Sequence, residues 1–310
     1  MSFPSPQAAL VTPDGARLAL FRLTRAGTEA PALLWGHANG FAAASYRALL
    51  KELAESFDVW AWDARAHGAS AAPVQFPPRT AMSLERLAAD ASVVCNEVRR
   101  QTGQVPYVAA HSFSGIALLL AGGGNPPWRG ATLFEPPLVT AETFLDPGIR
   151  REVRDKVAAT LRRRRAWASP GALFNRLRPD PAYKRVEDKR LQDHAKALLA
   201  ASQEGLCALR CAPEYEAAVY EAVFDTAPFE RLQSLTRRVH FVASDATPSL
   251  PRFWPRDVQP VAAARARGTW ERLPGSTHLL PLEMPASCAA IVRRQVVEEA
   301  VSRDRLRDAQ

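Results

Sequence analysis

The residues best suited to chemistry surround one serine in the stretch VPYVAAHSFSGIALLL, residues 105–120. Apolar runs flank a group of small residues that includes Ala110 and Ser114, and this pattern predicts a buried strand, a sharp turn and a buried helix. A serine between two small residues at this spacing is typical of a nucleophile elbow, which exposes the hydroxyl of Ser112. The Phe113 amide would then lie in the first turn of the helix, where N–H groups have no intrahelical acceptor. The predicted chemistry is attack by Ser112 on an activated carbonyl, with negative charge developing beside Phe113.

The elements that must position this serine alternate between strand and helix along the first part of the chain. Alternation of this kind predicts a mostly parallel sheet covered by helices on both faces. From Pro136 to about Thr236 the pattern becomes helical, and we interpret residues 136–236 as a helical lid. The core would then comprise residues 1–135 and 237–310. The predicted strands are residues 8–11 and 17–23, Ala32–Trp35, Phe57–Trp62, Tyr107–Ala110, Ala131–Phe134, Val239–Ala243 and Gly268–Leu273.

Four motifs occur in a characteristic order along the chain. They are Gly36-His37-Ala38-Asn39-Gly40, then Asp63-Ala-Arg-Ala-His67-Gly68-Ala-Ser70, then the Ser112 turn, and finally Ser276-Thr277-His278 followed by Glu283-Met284-Pro285. Together they resemble the motifs of the α/β-hydrolase fold superfamily, and the similarity runs almost end to end. The resemblance implies an α/β fold with a mostly parallel central sheet flanked by helices and a helical lid inserted after the sixth strand. It is closest to the lidded, esterase-like serine hydrolases.

A serine nucleophile needs a base, and the base needs an acid that holds its tautomer. Of the six histidines, His278 is the expected base because it follows the last predicted strand. The resemblance offers two acids: Asp245, after strand Val239–Ala243, and Glu135, after the strand next to the Ser112 helix. We expect Asp245 to be the catalytic acid, with Glu135 as the alternative.

The resemblance also assigns the oxyanion hole to the backbone amides of Asn39 and Phe113. A serine at the elbow, rather than an aspartate, predicts acyl chemistry on a small or medium carboxylic ester through an acyl-enzyme, with no metal or organic cofactor. Two alternatives remain open: hydrolysis of a carbon–carbon bond or a lactone by the same triad, and a non-catalytic protein that binds a small ligand. Aromatic side chains available to line a substrate pocket in the lid are Trp167, Phe174, Tyr183, Tyr215, Tyr220 and Phe224.

The composition limits the remaining classes of function. With 310 residues, of which 47% are hydrophobic and 23% charged, the chain suits one large domain or one domain with an insertion. We expect no membrane span, no signal peptide, a cytoplasmic location with reduced cysteines, and a monomer or homodimer. The net charge is +8, and the densest basic run is Arg162–Arg165. We interpret this run as a solvated helix face, because no aromatic residues alternate with it as in a nucleic-acid site.

Overall fold

The computed structural model describes residues 3–23, 29–71, 75–201, 205–245 and 258–308. Eight strands form one sheet in the order β1-β2-β4-β3-β5-β6-β10-β11. Strand β1 pairs antiparallel with β2, and β2 pairs antiparallel with β4, whereas the other neighbours are parallel. The strands are β1 Ala8–Val11, β2 Arg17–Arg22, β3 Ala32–Gly36, β4 Asp58–Trp62, β5 Tyr107–His111, β6 Gly130–Phe134, β7 Ala166–Trp167, β8 Leu199–Ala201, β9 Cys207–Leu209, β10 Val239–Ser244 and β11 Thr269–Leu273.

Helices cover both faces of this sheet, as the alternating pattern predicts. The α-helices are α1 Arg47–Leu53, α2 Pro78–Ala81, α3 Leu84–Thr102, α4 Phe113–Ala121, α5 Ala141–Leu145, α6 Pro147–Leu161, α7 Pro170–Leu177, α8 Asp188–Ala197, α9 Pro213–Ala222, α10 Ala227–Arg231, α11 Val258–Arg265, α12 Leu280–Glu283 and α13 Pro285–Asp308. Short 3₁₀ helices span Ala43–Tyr46, Pro181–Tyr183 and Leu232–Ser234. The predicted mostly parallel α/β fold is therefore confirmed.

The core consists of two apolar layers, one on each face of the sheet. Strands β3 to β6 are buried along their whole length, because a parallel sheet covered on both faces has no solvent-exposed side. Trp60 and Trp62 pack with α3 and α4 on one face. Trp35 and Leu50 pack with α1 and α13 on the other.

Residues 136–236, hereafter the insertion, lie between β6 and β10 and are not purely helical. Strands β7, β9 and β8 form a separate antiparallel sheet in that order. These strands contain two or three residues each, too few for an alternating pattern to be recognised in the sequence. The end of the insertion packs on the core: α10 contacts α4, and Leu232 is fully buried in the larger sheet's core layer.

Candidate active site

Ser112 occupies a strained turn between β5 and α4. Its backbone angles are φ 58° and ψ −127°, in a region that non-glycine residues seldom adopt and that costs on the order of 1–3 kcal/mol. Its amide donates to the Phe134 carbonyl at 2.9 Å, and its carbonyl accepts from the Gly115 amide at 2.9 Å. The surrounding sheet therefore maintains the strain. The Phe113 amide begins the helix, as the sequence predicts.

Ser114 stands where related turns often carry glycine, and its side chain has a structural role. Its Oγ donates to the His37 carbonyl at 2.6 Å, which ties the turn to the loop that follows β3. The two backbones approach closely because Gly36 has no side chain. A Cβ at Gly36 would lie 2.7 Å from the Ser114 Cβ and 2.4 Å from the Trp62 ring, so no larger residue fits there without displacing its neighbours.

Glu135 contacts the ring of His278. The His278 Nδ1 lies 3.5 Å from Glu135 Oε2, and Glu135 Oε1 accepts from the Ser244 amide at 2.6 Å. Glu135 is 2% exposed and His278 is 8% exposed. Glu135 adopts a positive φ of 49° directly after β6, a second strained backbone position near Ser112. In this arrangement the carboxylate can hold the Nδ1–H tautomer and leave Nε2 unprotonated.

Asp245, the acid favoured by the sequence, binds backbone groups of the loop that leads to His278. Its Oδ2 accepts from the Gly275 amide, and its own amide donates to the Ser276 carbonyl at 3.2 Å. The carboxylate against the histidine ring is thus Glu135, the alternative acid. Glu135 follows β6 and Asp245 follows β10, and these two strands are parallel neighbours. The sequence alone does not show which of the two carboxylates reaches a histidine on a third loop.

A buried chain of hydrogen bonds joins the loops around Ser112. The Ala38 amide donates to the Tyr46 hydroxyl at 3.0 Å, and that hydroxyl lies 2.7 Å from His111 Nδ1. His111 Nε2 in turn lies 2.7 Å from the His278 carbonyl. One tautomer satisfies every group: Tyr46 donates to Nδ1, and Nε2–H donates to His278. Burial lowers the pKa of His111 well below its usual value, so the ring is neutral. The sequence assigned His111 no part in this network.

The loop after β3 carries the predicted oxyanion donor Asn39. The Asn39 side chain Nδ2 donates to the Glu216 carbonyl of α9 at 2.9 Å, and the Gly40 amide donates to His67 Nε2 at 3.0 Å. Burial lowers the pKa of His67 to about 4, so Nε2 accepts as a neutral ring. These bonds fix the loop backbone between the core and the insertion.

Asp63 organises the loop after β4. Its buried carboxylate accepts from the Ala43 amide at 2.7 Å and from the Ala69 amide at 2.8 Å. Gly68 has φ +54°, and a Cβ there would lie 2.0 Å from the Asp63 carboxylate, so only glycine allows this approach. Burial raises the pKa of Asp63 to about 6.

An apolar pocket opens at Ser112, and the insertion forms one of its walls. It is narrow, with about 20 Å³ of room for the centres of water-sized molecules. The core contributes Asn39, Ser112 and Phe113. The insertion contributes Pro137 and Val139 from its first residues, and Val153, Val219, Tyr220, Val223 and Phe224 from helices α6 and α9 and the residues after α9.

Two of the six aromatic residues proposed from the sequence, Tyr220 and Phe224, line this pocket. Trp167 and Tyr183 instead line a neighbouring cleft between the Asn39 loop and the insertion. Tyr215 and Phe174 pack against the core layers. Within the described ranges, no helix is long and apolar enough to span a membrane, and no three His, Cys, Asp or Glu side chains are grouped as metal ligands would be.

A profile of the alpha/beta hydrolase family matches residues 32–291 of the chain. This match covers most of the sequence and includes all the site residues described above. The chain therefore belongs to the alpha/beta hydrolase family, and it is a hydrolase. No curated protein matches it in sequence.

Solved structures with the same fold are similar over nearly the whole chain. E-2-(acetamidomethylene)succinate hydrolase has a TM-score of 0.72 at 15% identity and covers 93% of this chain and 98% of its own. The thioesterase domain from the curacin biosynthetic pathway has a TM-score of 0.70 at 16% identity and covers 93% and 99%. A thermophilic esterase from Thermogutta terrifontis has a TM-score of 0.65 at 17% identity and covers 96% and 99%. At these identities the likeness shows the fold alone.

Proposed function

We propose that the protein is a serine hydrolase that cleaves a carboxylic ester or related acyl bond through Ser112, His278 and Glu135. The observation that carries this proposal is the buried contact between Glu135 Oε2 and His278 Nδ1, 3.5 Å long, which accompanies a serine in a strained strand–helix turn. His111, the residue before Ser112, bonds to the His278 carbonyl. The nucleophile strand and the histidine loop are thereby held together.

The proposed cycle begins with proton transfer from Ser112 Oγ to His278 Nε2 as Oγ attacks the substrate carbonyl carbon. Glu135 remains ionised and stabilises the imidazolium that forms. When the tetrahedral intermediate collapses, the bond from carbon to the leaving oxygen or sulfur breaks, and His278 returns the proton to the leaving group. Water then attacks the acyl-enzyme carbonyl carbon as His278 Nε2 takes one of its protons. The bond from carbon to Ser112 Oγ breaks, and His278 returns the proton to Oγ, which releases the acid and regenerates Ser112.

The Asn39 and Phe113 amides are the proposed oxyanion donors. Phe113 begins α4, where an N–H lacks an intrahelical acceptor and the helix dipole favours negative charge. The loop around Asn39 is held by the bonds of Ser114, His67 and Glu216. Preorganised donors of this kind cost no rearrangement when charge develops on the substrate oxygen.

The apolar lining of the pocket supports a small acyl group as part of the substrate, and the insertion would have to move to admit a medium one, because the pocket has only about 20 Å³ of room for the centres of water-sized molecules. Its walls are largely valine and phenylalanine side chains, which favour hydrocarbon over charged groups. Residues of α6 and α9 form the side opposite the core. We therefore assign the insertion the role of a lid that excludes water from the acyl-enzyme.

Labelling with a fluorophosphonate tests this proposal, because such probes react with activated serines. The wild-type protein should gain one label at Ser112, located by peptide mass spectrometry, and Ser112→Ala should gain none. Ser114→Ala is the matched control: it removes a buried hydroxyl from the same turn and should still be labelled. A folded wild-type protein that is not labelled, or equal labelling of Ser112→Ala, would refute the assignment.

A further inference from the structure

A second cleft adjoins the apolar pocket, and basic side chains surround it. It lies between the loop of Asn39, Gly40 and Phe41 and the part of the insertion around β7 and α7. Its volume is about 460 Å³. Its basic residues are Lys156, Arg162, Arg163, Arg164 and Arg176. The run Arg162–Arg165, expected from the sequence to be a solvated helix face, begins where α6 has ended at Leu161, and three of its arginines line this cleft.

The carboxylates in the cleft are too few to balance these charges. They are Glu216 and Asp180. Glu216 forms an ion pair with Arg163. Asp180 Oδ1 caps the next 3₁₀ helix by accepting from the Ala182 amide at 3.0 Å. Both acidic groups therefore already have partners, and the cleft retains an excess of positive charge.

Lys156 is the clearest sign of an anion site. Its ammonium lies 5.0 Å from the centre of the Tyr220 ring, and burial lowers its pKa. In the part of the chain that the structure describes, no carboxylate lies within ion-pair distance of it. Glu216 and Asp180 attract this ammonium from beyond ion-pair distance, and Arg163 repels it. A bound anion in direct contact would lower the remaining cost of burying the charge.

The cleft and the catalytic pocket share two residues, Asn39 and Tyr220. Asn39 carries one of the proposed oxyanion amides, and Tyr220 lies beside Lys156. The two cavities are therefore neighbours, and a molecule that occupied both would pass Asn39 and Tyr220. The apolar pocket suits its hydrocarbon part, whereas the basic cleft suits a charged part.

We propose that the substrate is an acyl compound bearing an anionic group, a carboxylate or a phosphate, that binds in this cleft against Lys156 and the neighbouring arginines. The proposal rests on the proposed function, because it takes Ser112 as the reacting centre. Charge-assisted hydrogen bonds to such anions are among the stronger polar contacts in proteins.

Matched esters and a matched pair of variants test this inference. One series comprises aryl butyrates whose leaving group carries a para carboxamide, carboxylate or phosphate, and a second comprises 4-methylumbelliferyl butyrate and the glutarate monoester. The variants are Lys156→Met and Lys184→Met, the latter an exposed lysine of the insertion outside the cleft. The measure is the ratio of wild-type to variant kcat/KM, because it cancels the intrinsic reactivity of each ester.

We expect Lys156→Met to lower kcat/KM for an anionic ester by about tenfold, and to change kcat/KM for its neutral partner less than about twofold. Lys184→Met should change neither. The phosphate and carboxylate arms show which anion the cleft prefers. Equal ratios for charged and neutral esters in both series would overturn the inference.

A binding measurement separates this inference from the proposed function. Ser112→Ala should bind the intact anionic ester more tightly than the neutral one, and adding Lys156→Met should reduce the difference by about tenfold. If wild type is labelled at Ser112 but shows no preference for charge, only the anion site is refuted. If neither labelling nor ester cleavage occurs, the proposed function is refuted, and the binding measurement still decides the anion site.

Discussion

Tyr46→Phe tests the buried network around the proposed catalytic histidine. The Tyr46 hydroxyl is the only group removed, and the phenylalanine ring keeps the packing against Trp35, whose ring centre lies 5.0 Å away. The loss leaves the Ala38 amide and His111 Nδ1 without this partner. Tyr46 is 1% exposed, so water cannot replace the hydroxyl without rearrangement.

The expected effect follows from the cost of unsatisfied buried polar groups. Each such group costs about 1–3 kcal/mol, so we expect the free energy of unfolding to fall by about 2–4 kcal/mol in urea titrations. Activity should fall as well, because Ala38 precedes Asn39 and His111 bonds to His278. We expect a loss of about tenfold in kcat/KM, less than the 10²–10³ typical for complete removal of an oxyanion donor.

Tyr107→Phe is the control for this variant. Tyr107 is buried at the start of β5, the end away from Ser112. Its hydroxyl lies 2.9 Å from Thr132 Oγ1. The Tyr107→Phe variant should lose about 1 kcal/mol of stability and keep the wild-type kcat/KM. The reasoning fails if Tyr46→Phe retains full activity, or if both variants lose the same fraction of activity.

Two further predictions concern buried charges near the site. Arg65 forms two 2.6 Å bonds with the buried Asp90, so Arg65→Met should lower the free energy of unfolding by about 3–5 kcal/mol in urea titrations. Arg100→Met, at the exposed pair with Glu97, should leave the free energy of unfolding nearly unchanged. Equal effects of the two variants would contradict this account. The pKa of Asp63 rises from 3.8 to about 6 on folding, so the folded protein holds this proton more tightly than the unfolded chain. Raising the pH from the lower to the higher of these pKa values therefore destabilises the fold by at most about 3 kcal/mol. The stability of wild type relative to Asp63→Asn should therefore fall between about pH 4 and pH 7; a difference that does not vary with pH would refute the assigned cause.

Local patterns in the sequence predicted most of the core. The alternation of apolar strands and helices identified the strands of the large sheet. The small residues around Ser112 predicted the strained turn because few sequences tolerate that backbone. Strands β7 to β9 were missed because their pairing, not their composition, defines them.

Contacts between distant segments limited the prediction of the site. Glu135 and His278 are 143 positions apart, and whether Glu135 or Asp245 reaches the ring depends on how two adjacent strands end. The role of His111 depends on Tyr46, 65 positions away. The basic cleft was hidden for the same reason: Arg162–Arg165 looked like an isolated charge run, and only the fold brings it to the loop of Asn39.

The most direct test of the proposed triad compares Glu135→Gln with Asp245→Asn. Both substitutions keep the shape of the side chain and remove its charge. Ester hydrolysis by folded protein should fall by about 10³–10⁴ in kcat for Glu135→Gln, because the amide no longer stabilises the correct tautomer and the imidazolium. Asp245→Asn should retain kcat within about tenfold of wild type, because Asp245 bonds to loop backbone and affects His278 only indirectly. A large loss for Asp245→Asn with near-normal activity for Glu135→Gln would contradict the account.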